Sequence, residues 1–446
     1  MHALVIVTFL TATLAEFLST STKGPGVLKL IPEMLSVLIT IGVMLHGVRR
    51  GFGLIPARYW TVFGVMVIII VCGILTNGEG SGPIFAGARY YLRAIPLFIL
   101  PAVYPFTDKQ LKQQLQVLLA VGLFQVPLAC YQRWVIYSAS RFSGDDVYGT
   151  MMESGILSLV LICMALVVTG QFLRKRIGKV PFIILFFLLL VPTTINETKV
   201  TVIVLPIGLM TTIIAAAPRG KRLPILLGGM TLLVVFAAIL VPVYDFMNEH
   251  SHYKQGRNIE DFFTDQKLIS AYMATQKKGA ALGMTRDVRR GDAIKVPIRY
   301  LSRDPVLLAF GLGMGNASHS NLGEGFTGDY NGLFDKFLIT AFTTFLLEIG
   351  LFGTSLIFAL YWFIFQDTIA VAKADPDGVT GSLAAGWIGV AAIMPIATFY
   401  TPIQTYASVA YLFWYFSGVI VARRTRLKLA TSQSTENGRL PDGARI

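Results

Sequence analysis

Repeated apolar runs of about twenty residues are the feature that most limits what this chain can fold into. Segments such as 182–191 and 232–241 are continuously apolar. In a bilayer every backbone N–H and C=O group needs a partner within the protein, so a spanning segment is either a helix or a strand of a closed barrel. Barrel strands alternate apolar and polar residues, and these runs do not. The sequence therefore predicts an all-α integral membrane protein.

The runs predict about twelve transmembrane helices. They lie near residues 3–18, 28–45, 60–75, 84–104, 111–135, 149–169, 180–195, 200–216, 223–244, 336–365, 383–400 and 405–421. The first run has the length of a signal peptide but no basic segment before it, so we expect it to be retained. These runs divide the chain into a nine-helix part over residues 1–244, a large periplasmic loop with amphipathic helices over 245–335, a three-helix part over 336–422 and a disordered tail over 423–446. Within the loop, the amphipathic segments are expected over residues 261–276 and 293–308.

The net charge of +13 has a topological explanation. Strict alternation of the helices places most basic loop residues on one side, which the positive-inside rule makes cytoplasmic, together with both termini. A nucleic-acid ligand is then not needed to explain the charge. Cys72, Cys130 and Cys163 lie inside apolar runs without metal-ligand spacing, so we predict neither a metal site nor a disulfide.

Four polar segments remain on the opposite side: residues 141–146, 196–199, 286–292 and 311–319. The first begins with Arg141, the second includes Glu197 and Lys199, and the fourth is a glycine-rich turn over 311–315 that leads to His319. Each has a simple interpretation as an exposed ion pair, a closed turn, a solvated charge run or a surface histidine. Their convergence suggests more, because a pyrophosphate at a membrane surface needs several cationic donors.

The pattern resembles the bacterial O-antigen ligase and O-antigen polymerase superfamily. The resemblance rests on the topology, with the main loop between the ninth and tenth helices, and on segments 141–144, 196–199, 290–305, 311–315, 319–321 and 346–353. Two departures from the family pattern are a longer spacing between His319 and the following helix, and Lys199 in place of an arginine.

The resemblance implies a membrane-embedded glycosyltransferase of the bacterial inner membrane that uses no cofactor. Such enzymes move a glycan from an undecaprenyl-pyrophosphate carrier to a hydroxyl of an acceptor glycan, with a chain-length regulator or a flippase as further expected partners. The predicted catalytic residues are His319 as base and Glu197 in reserve, and the predicted pyrophosphate-binding residues are Arg290, Lys199, Arg141 and Arg299.

Our leading hypothesis is a polymerase of polysaccharide repeat units. A related alternative is a ligase that transfers finished glycan to a lipid A core or another acceptor. A secondary transporter remains an alternative, for which Glu33, Glu153 and Glu348 are the candidate ionisable residues at depth. A structural or assembly subunit is a third option, and in that case the cations opposite the cytoplasmic side could be replaced without consequence.

Overall fold

The computed structural model describes residues 1–21, 24–137, 146–217, 220, 222–249, 264–266, 290–320 and 322–436, without the side chains of positions 26, 244, 247–249, 290 and 434–436. Within these ranges the chain is all-helical and has no strand. Sixteen α-helices follow one another: α1 His2–Ser21, α2 Ile31–Arg50, α3 Ala57–Asn77, α4 Ser81–Leu92, α5 Ile95–Val103, α6 Asp108–Tyr131, α7 Ser154–Leu173, α8 Lys179–Ile195, α9 Thr201–Ala216, α10 Arg222–Glu249, α11 Arg290–Leu301, α12 Pro305–Phe310, α13 Asn331–Phe334, α14 Ala341–Ala374, α15 Val379–Ala397 and α16 Ala407–Glu436.

Eight described helices are long and apolar enough to cross a membrane, as expected of a multi-pass membrane protein. They cover His2–Ser21, Val27–Arg50, Ala57–Asn77, Asp108–Ile136, Ser154–Leu173, Arg222–Val243, Ala341–Ala374 and Val379–Ala397, and α8 and α9 are shorter apolar helices.

Three helices form the interior of the bundle. The apolar windows of α15, α7 and α14 are 78%, 72% and 61% buried, against 17% for α10 and 28% for α2. Close packing of the central helices depends on small residues: a Cβ on Gly170 of α7 would meet the Gly386 nitrogen of α15 at 2.2 Å. The outer helices expose large apolar side chains such as Leu45 and Leu75. A surface of this kind is suited to lipid rather than to water.

Local sequence explains where several helices begin. Thr107 and Gln110 form a capping box at the start of α6. The break between α4 and α5, inside a run that the sequence analysis treated as one helix, is explained by Pro96 in the first turn of α5. Proline lacks an N–H group and its ring clashes with the preceding turn, so it is tolerated at a helix start but not in the interior.

Contacts between helix ends define two ends of the bundle. At one end, Arg58 and Arg424 both pair with Asp367, and Arg423 pairs with Asp375 at 2.9 Å. We call this the basic end, because the short loops there carry most of the arginines and lysines. We call the opposite end, where residues 290–340 lie, the long-loop end.

Two segments differ from the sequence-based expectation. Residues 423–436 continue α16 instead of starting a disordered tail, because their leucine, lysine, arginine and alanine residues are strong helix formers. The amphipathic segment expected over 293–308 forms two helices, α11 and α12, separated at residues 302–304. The other amphipathic segment, expected over 261–276, lies almost entirely outside the described residues.

Candidate functional site

A glycine-rich turn rests directly on the backbone of α14. The Leu312 N–H donates to the Leu347 carbonyl at 2.7 Å, and the Gly313 N–H donates to the Glu348 carbonyl at 3.2 Å. Gly311 has a φ of 78° and Gly350, where α14 is kinked, has a φ of 65°. A Cβ on Gly311 would lie 2.5 Å from the Gly350 nitrogen, so only glycine permits this approach. The turn is therefore fixed against α14.

Helix α4 covers the other side of the same turn. A Cβ on Gly87 would meet the Met314 carbonyl oxygen at 2.4 Å, so the two backbones are in direct contact. This contact places α4 at the long-loop end, and Tyr91 of α4 lies beside Glu348, whose carbonyl binds the turn. The apolar run had predicted one membrane span over residues 84–104.

Arg89 in the last turn of α4 and Arg93 at its C-terminal cap share one carboxylate. Arg93 donates to Glu33 Oε1 at 3.0 Å, and Arg89 Nε lies 3.3 Å from the same oxygen. Arg93 also donates to the backbone carbonyls of Gln404 at 3.0 Å and Thr405 at 2.6 Å. The hydrogen bonds of its guanidinium thus connect α2 and the α15–α16 loop to the end of α4.

Arg89 is held less completely than Arg93. Its side chain is 13% exposed, one nitrogen donates to the Tyr90 hydroxyl at 3.1 Å, and its buried Nη1 has no hydrogen-bond partner among the described residues. Two guanidinium groups against one carboxylate leave one positive charge in excess. A buried cation with a spare donor is the arrangement expected of an anion-binding site.

An acidic cluster lies on the other side of α4. Glu348 is 2% exposed and accepts a hydrogen bond from Ser318 Oγ at 2.5 Å, and the buried hydroxyl of Tyr91 lies beside it. Burial, together with the nearby carboxylates of Glu348 and Asp329, raises the pKa of Glu79 to about 8. Neither carboxylate oxygen of Glu79 has a hydrogen-bond partner among the described residues. Glu79 is therefore mainly protonated at neutral pH.

His319, the predicted base, follows directly after Ser318 and is exposed. Its Nδ1 lies 3.5 Å from Thr327 Oγ1, the outer limit of a hydrogen bond. The Ser318 contact with Glu348 thus positions the histidine backbone beside the glycine-rich turn and leaves the imidazole accessible. An exposed imidazole of this kind can accept a proton from a substrate hydroxyl.

The turn at residues 196–199 is bound to neighbouring helices by an ion pair and by a buried hydrogen bond. Glu197 accepts from Arg133 at 2.9 Å, and Arg133 lies in the short π-helix Gln132–Ile136 that follows α6. The buried Asn196 donates to the Ser154 carbonyl at 3.0 Å, which fixes the turn to α7. Lys199 is half-buried in the same turn. The Glu197 carboxylate is therefore already paired with an arginine, which makes it a weaker candidate for a catalytic base than His319.

A chain of polar contacts connects this turn to the arginine cluster. Glu153, next to Ser154, accepts from Thr401 Oγ1 at 2.7 Å and lies beside Tyr406. Tyr406 follows Thr405, whose carbonyl binds Arg93. The candidate residues on these two parts of the chain thus lie at one end of the bundle.

Of the remaining predicted cations, Arg299 is the one whose side chain is described. Arg299 is exposed on α11. Position 290 is the first residue of α11, and positions 290 and 299 are about two and a half turns apart on that helix, on opposite sides of its axis. The side chain of Arg290 and all of Arg141 lie outside the described residues.

Sequence reasoning missed Arg89 and Arg93. The signal that could have found them is the presence of two arginines in an apolar run, which is energetically unfavourable in lipid, combined with Pro96 just after them. It also gave Glu79 no role and considered Glu348 only as a family-motif residue and a transport candidate. Among the described residues, no group of three or more histidine, cysteine, aspartate and glutamate side chains could hold a metal ion.

Comparison with known proteins adds no assignment. No protein-family model matches the sequence, and a search of curated proteins finds no match.

Proposed function

We propose that the chain is a polymerase of polysaccharide repeat units, resembling the O-antigen ligase and O-antigen polymerase superfamily. It would transfer glycan from an undecaprenyl-pyrophosphate carrier to a hydroxyl of an acceptor glycan, with its long-loop end facing the periplasm of a bacterial inner membrane. The observation that carries this proposal is the buried positive charge in excess at Arg89 and Arg93, which suits a pyrophosphate at the membrane surface.

The reaction needs stabilisation of a leaving anion. The acceptor oxygen bonds to the anomeric carbon, the bond between that carbon and the pyrophosphate oxygen breaks, and the electron pair leaves with the lipid pyrophosphate. Donors already oriented toward this developing charge lower the barrier most. Arg89 has the spare donor for this role, and Arg93 adds charge from a fixed position. Lys199, at the same end, is a further candidate.

The acceptor hydroxyl loses its proton during the same step. His319 is the group proposed to take it, because the imidazole is exposed and its backbone adjoins the glycine-rich turn. The acidic cluster of Glu348 and Glu79 would orient this region rather than react.

The contacts of the three candidate transport residues do not favour a transporter. Glu33 is in the first turn of α2, Glu153 caps α7, and Glu348 is in the second turn of α14. All three are bound to neighbours at the long-loop end, whereas a coupling site is expected near the bilayer midplane.

The test supplies purified full-length protein in vesicles with an undecaprenyl-pyrophosphate oligosaccharide. Chain extension with release of the pyrophosphate lipid would support a polymerase, and transfer only to an added lipid A core would support the ligase alternative. Absence of released carrier lipid under both conditions would overturn the glycosyltransferase proposal. His319→Ala should abolish transfer while the protein still binds the donor, and normal turnover in that variant would reject the histidine as base.

A further inference from the structure

A separate apolar cavity of about 390 Å³ lies between α6, α7, α15 and α16. It runs along α7 from Leu159 to Gln171 and along α15 from Val379 to Met394, which corresponds to ~18 Å and ~22 Å at the rise of an α-helix. One leaflet of a bilayer contributes ~15 Å of hydrocarbon, half of the total thickness. The cavity is therefore long enough to hold one lipid acyl chain.

The packing of α7 shows that the cavity interrupts the interior of the bundle. Every residue of α7 from position 154 to 170 is buried except Cys163 and Val167, which are one helical turn apart and both line the cavity. The cavity is partly open to the surface of the bundle, and an apolar groove on the surface of a membrane protein is suited to contact with lipid. The space is therefore suited to a hydrocarbon chain.

Two cations lie where the cavity reaches the basic end. Lys112 of α6 and Arg176 of the α7–α8 loop both line it and are exposed. Neither forms an ion pair with a described residue, in contrast to Arg58, Arg423 and Arg424 at the same end. Exposed cations beside an apolar cavity match a lipid that has a negatively charged headgroup.

We infer that this cavity binds an anionic phospholipid, with one acyl chain along Cys163 and Val167 and the phosphate between Lys112 and Arg176. The site is distinct from the proposed pyrophosphate site, because Arg89 and Arg93 lie at the opposite end of the bundle. The inference does not depend on the proposed function. It concerns a structural lipid drawn from the leaflet at the basic end.

The experiment measures lipid binding by native mass spectrometry of the full-length protein in detergent, titrated with phosphatidylglycerol or with phosphatidylcholine of the same chain length. We expect phosphatidylglycerol to bind at least about tenfold more tightly. The double variant Lys112→Gln/Arg176→Gln should reduce this preference to about twofold or less, while Lys109→Gln/Lys179→Gln, at the same end but outside the cavity, should retain it.

A second variant tests the position of the chain. Val167→Phe fills the cavity and should remove the first bound lipid of either headgroup, whereas Val235→Phe on the exposed surface of α10 should not. Equal binding of the two lipids to the wild type, or unchanged binding of phosphatidylglycerol to Val167→Phe, would overturn the inference. So would displacement of the bound lipid by undecaprenyl phosphate, since the cavity would then belong to the carrier lipid.

Discussion

Replacing Arg89 by glutamine is the most informative perturbation of the proposed site. The change removes the positive charge and the Nη1 donor but keeps a polar side chain. Among the described residues, Arg89 has a 3.3 Å contact with Glu33, a 3.1 Å hydrogen bond to the Tyr90 hydroxyl and a cation–π contact at 5.0 Å from the centroid of the Tyr90 ring. Its removal also relieves repulsion from Arg93, so we expect a loss of at most about 1–2 kcal/mol in the free energy of unfolding.

The expected effect on transfer is much larger. Removal of one donor oriented toward a developing anion costs about 3–4 kcal/mol of transition-state stabilisation, or roughly 10²–10³ in kcat/KM. Arg93→Gln provides the contrast, because it leaves the Gln404 and Thr405 carbonyls without their donor and leaves Glu33 with the longer 3.3 Å contact to Arg89. We expect that variant to lose about 3–5 kcal/mol of stability in addition to its activity.

The assay combines carrier-lipid release at several donor concentrations with thermal unfolding of the same samples. Arg423→Gln is the matched control, since its ion pair with Asp375 lies at the basic end and Arg423 is 38% exposed. The control should change stability by less than about 1 kcal/mol and leave transfer within about twofold of the wild type. An Arg89→Gln variant that is stable and retains normal kcat/KM would refute the assignment of this arginine to the leaving group.

Three further predictions test other parts of the structure. The pKa of Glu79 is about 8 in the folded protein and about 4.3 in the unfolded chain, so wild-type stability should fall as pH rises between these values. Glu79→Gln should therefore raise Tm by an amount that grows with pH and levels off above about 8. Asp367→Asn should cost about 3–5 kcal/mol in denaturant unfolding, because two arginines and a tyrosine lose their buried carboxylate, while Asp375→Asn costs less than about 1 kcal/mol. Gly311→Ala should abolish transfer because its Cβ meets the backbone of α14, whereas Gly323→Ala, with nothing within 4 Å, should cost only about 1–2 kcal/mol from its positive φ and retain activity.

Each of these three predictions has a result that would contradict it. A Tm difference for Glu79→Gln that does not change with pH would show that this carboxyl is not destabilised by burial in the folded protein. Equal stability of the two aspartate variants would show that the Asp367 cluster contributes no more than a surface pair. Equal activity of the two glycine variants would show that the contact between the turn and α14 is not required for transfer.

The sequence predicts the helices well because their signals are local. Apolar run length identified the eight helices that could span a membrane, and the Thr107 capping box is visible as a short motif. The site depends instead on contacts between distant positions. Arg93 meets Glu33 and the Gln404 carbonyl through tertiary packing, and no periodicity in the chain indicates that pairing.

The arginines at the long-loop end were not predicted individually. Cations at the end opposite the basic loops were expected, but Arg89 and Arg93 lie in a run whose average hydropathy suggested a continuous span. Glu197 was predicted as a base in reserve, and its partner Arg133 is supplied by another helix. Charge pairing of this kind depends on which helices pack together, which the pattern of one chain does not determine.

The buried Asp367 also has a consequence for how the protein is made. Its carboxylate in α14 needs Arg58 from near the beginning of the chain and Arg424 from the last helix. During synthesis the chain emerges from its N-terminus, so α14 enters the membrane before its second arginine exists. A chain that stops short of residue 424 retains a buried acidic group with an incomplete set of partners, which is strongly unfavourable. Insertion of α16 thus supplies the second arginine, and chains that end before residue 424 should be recognised and degraded.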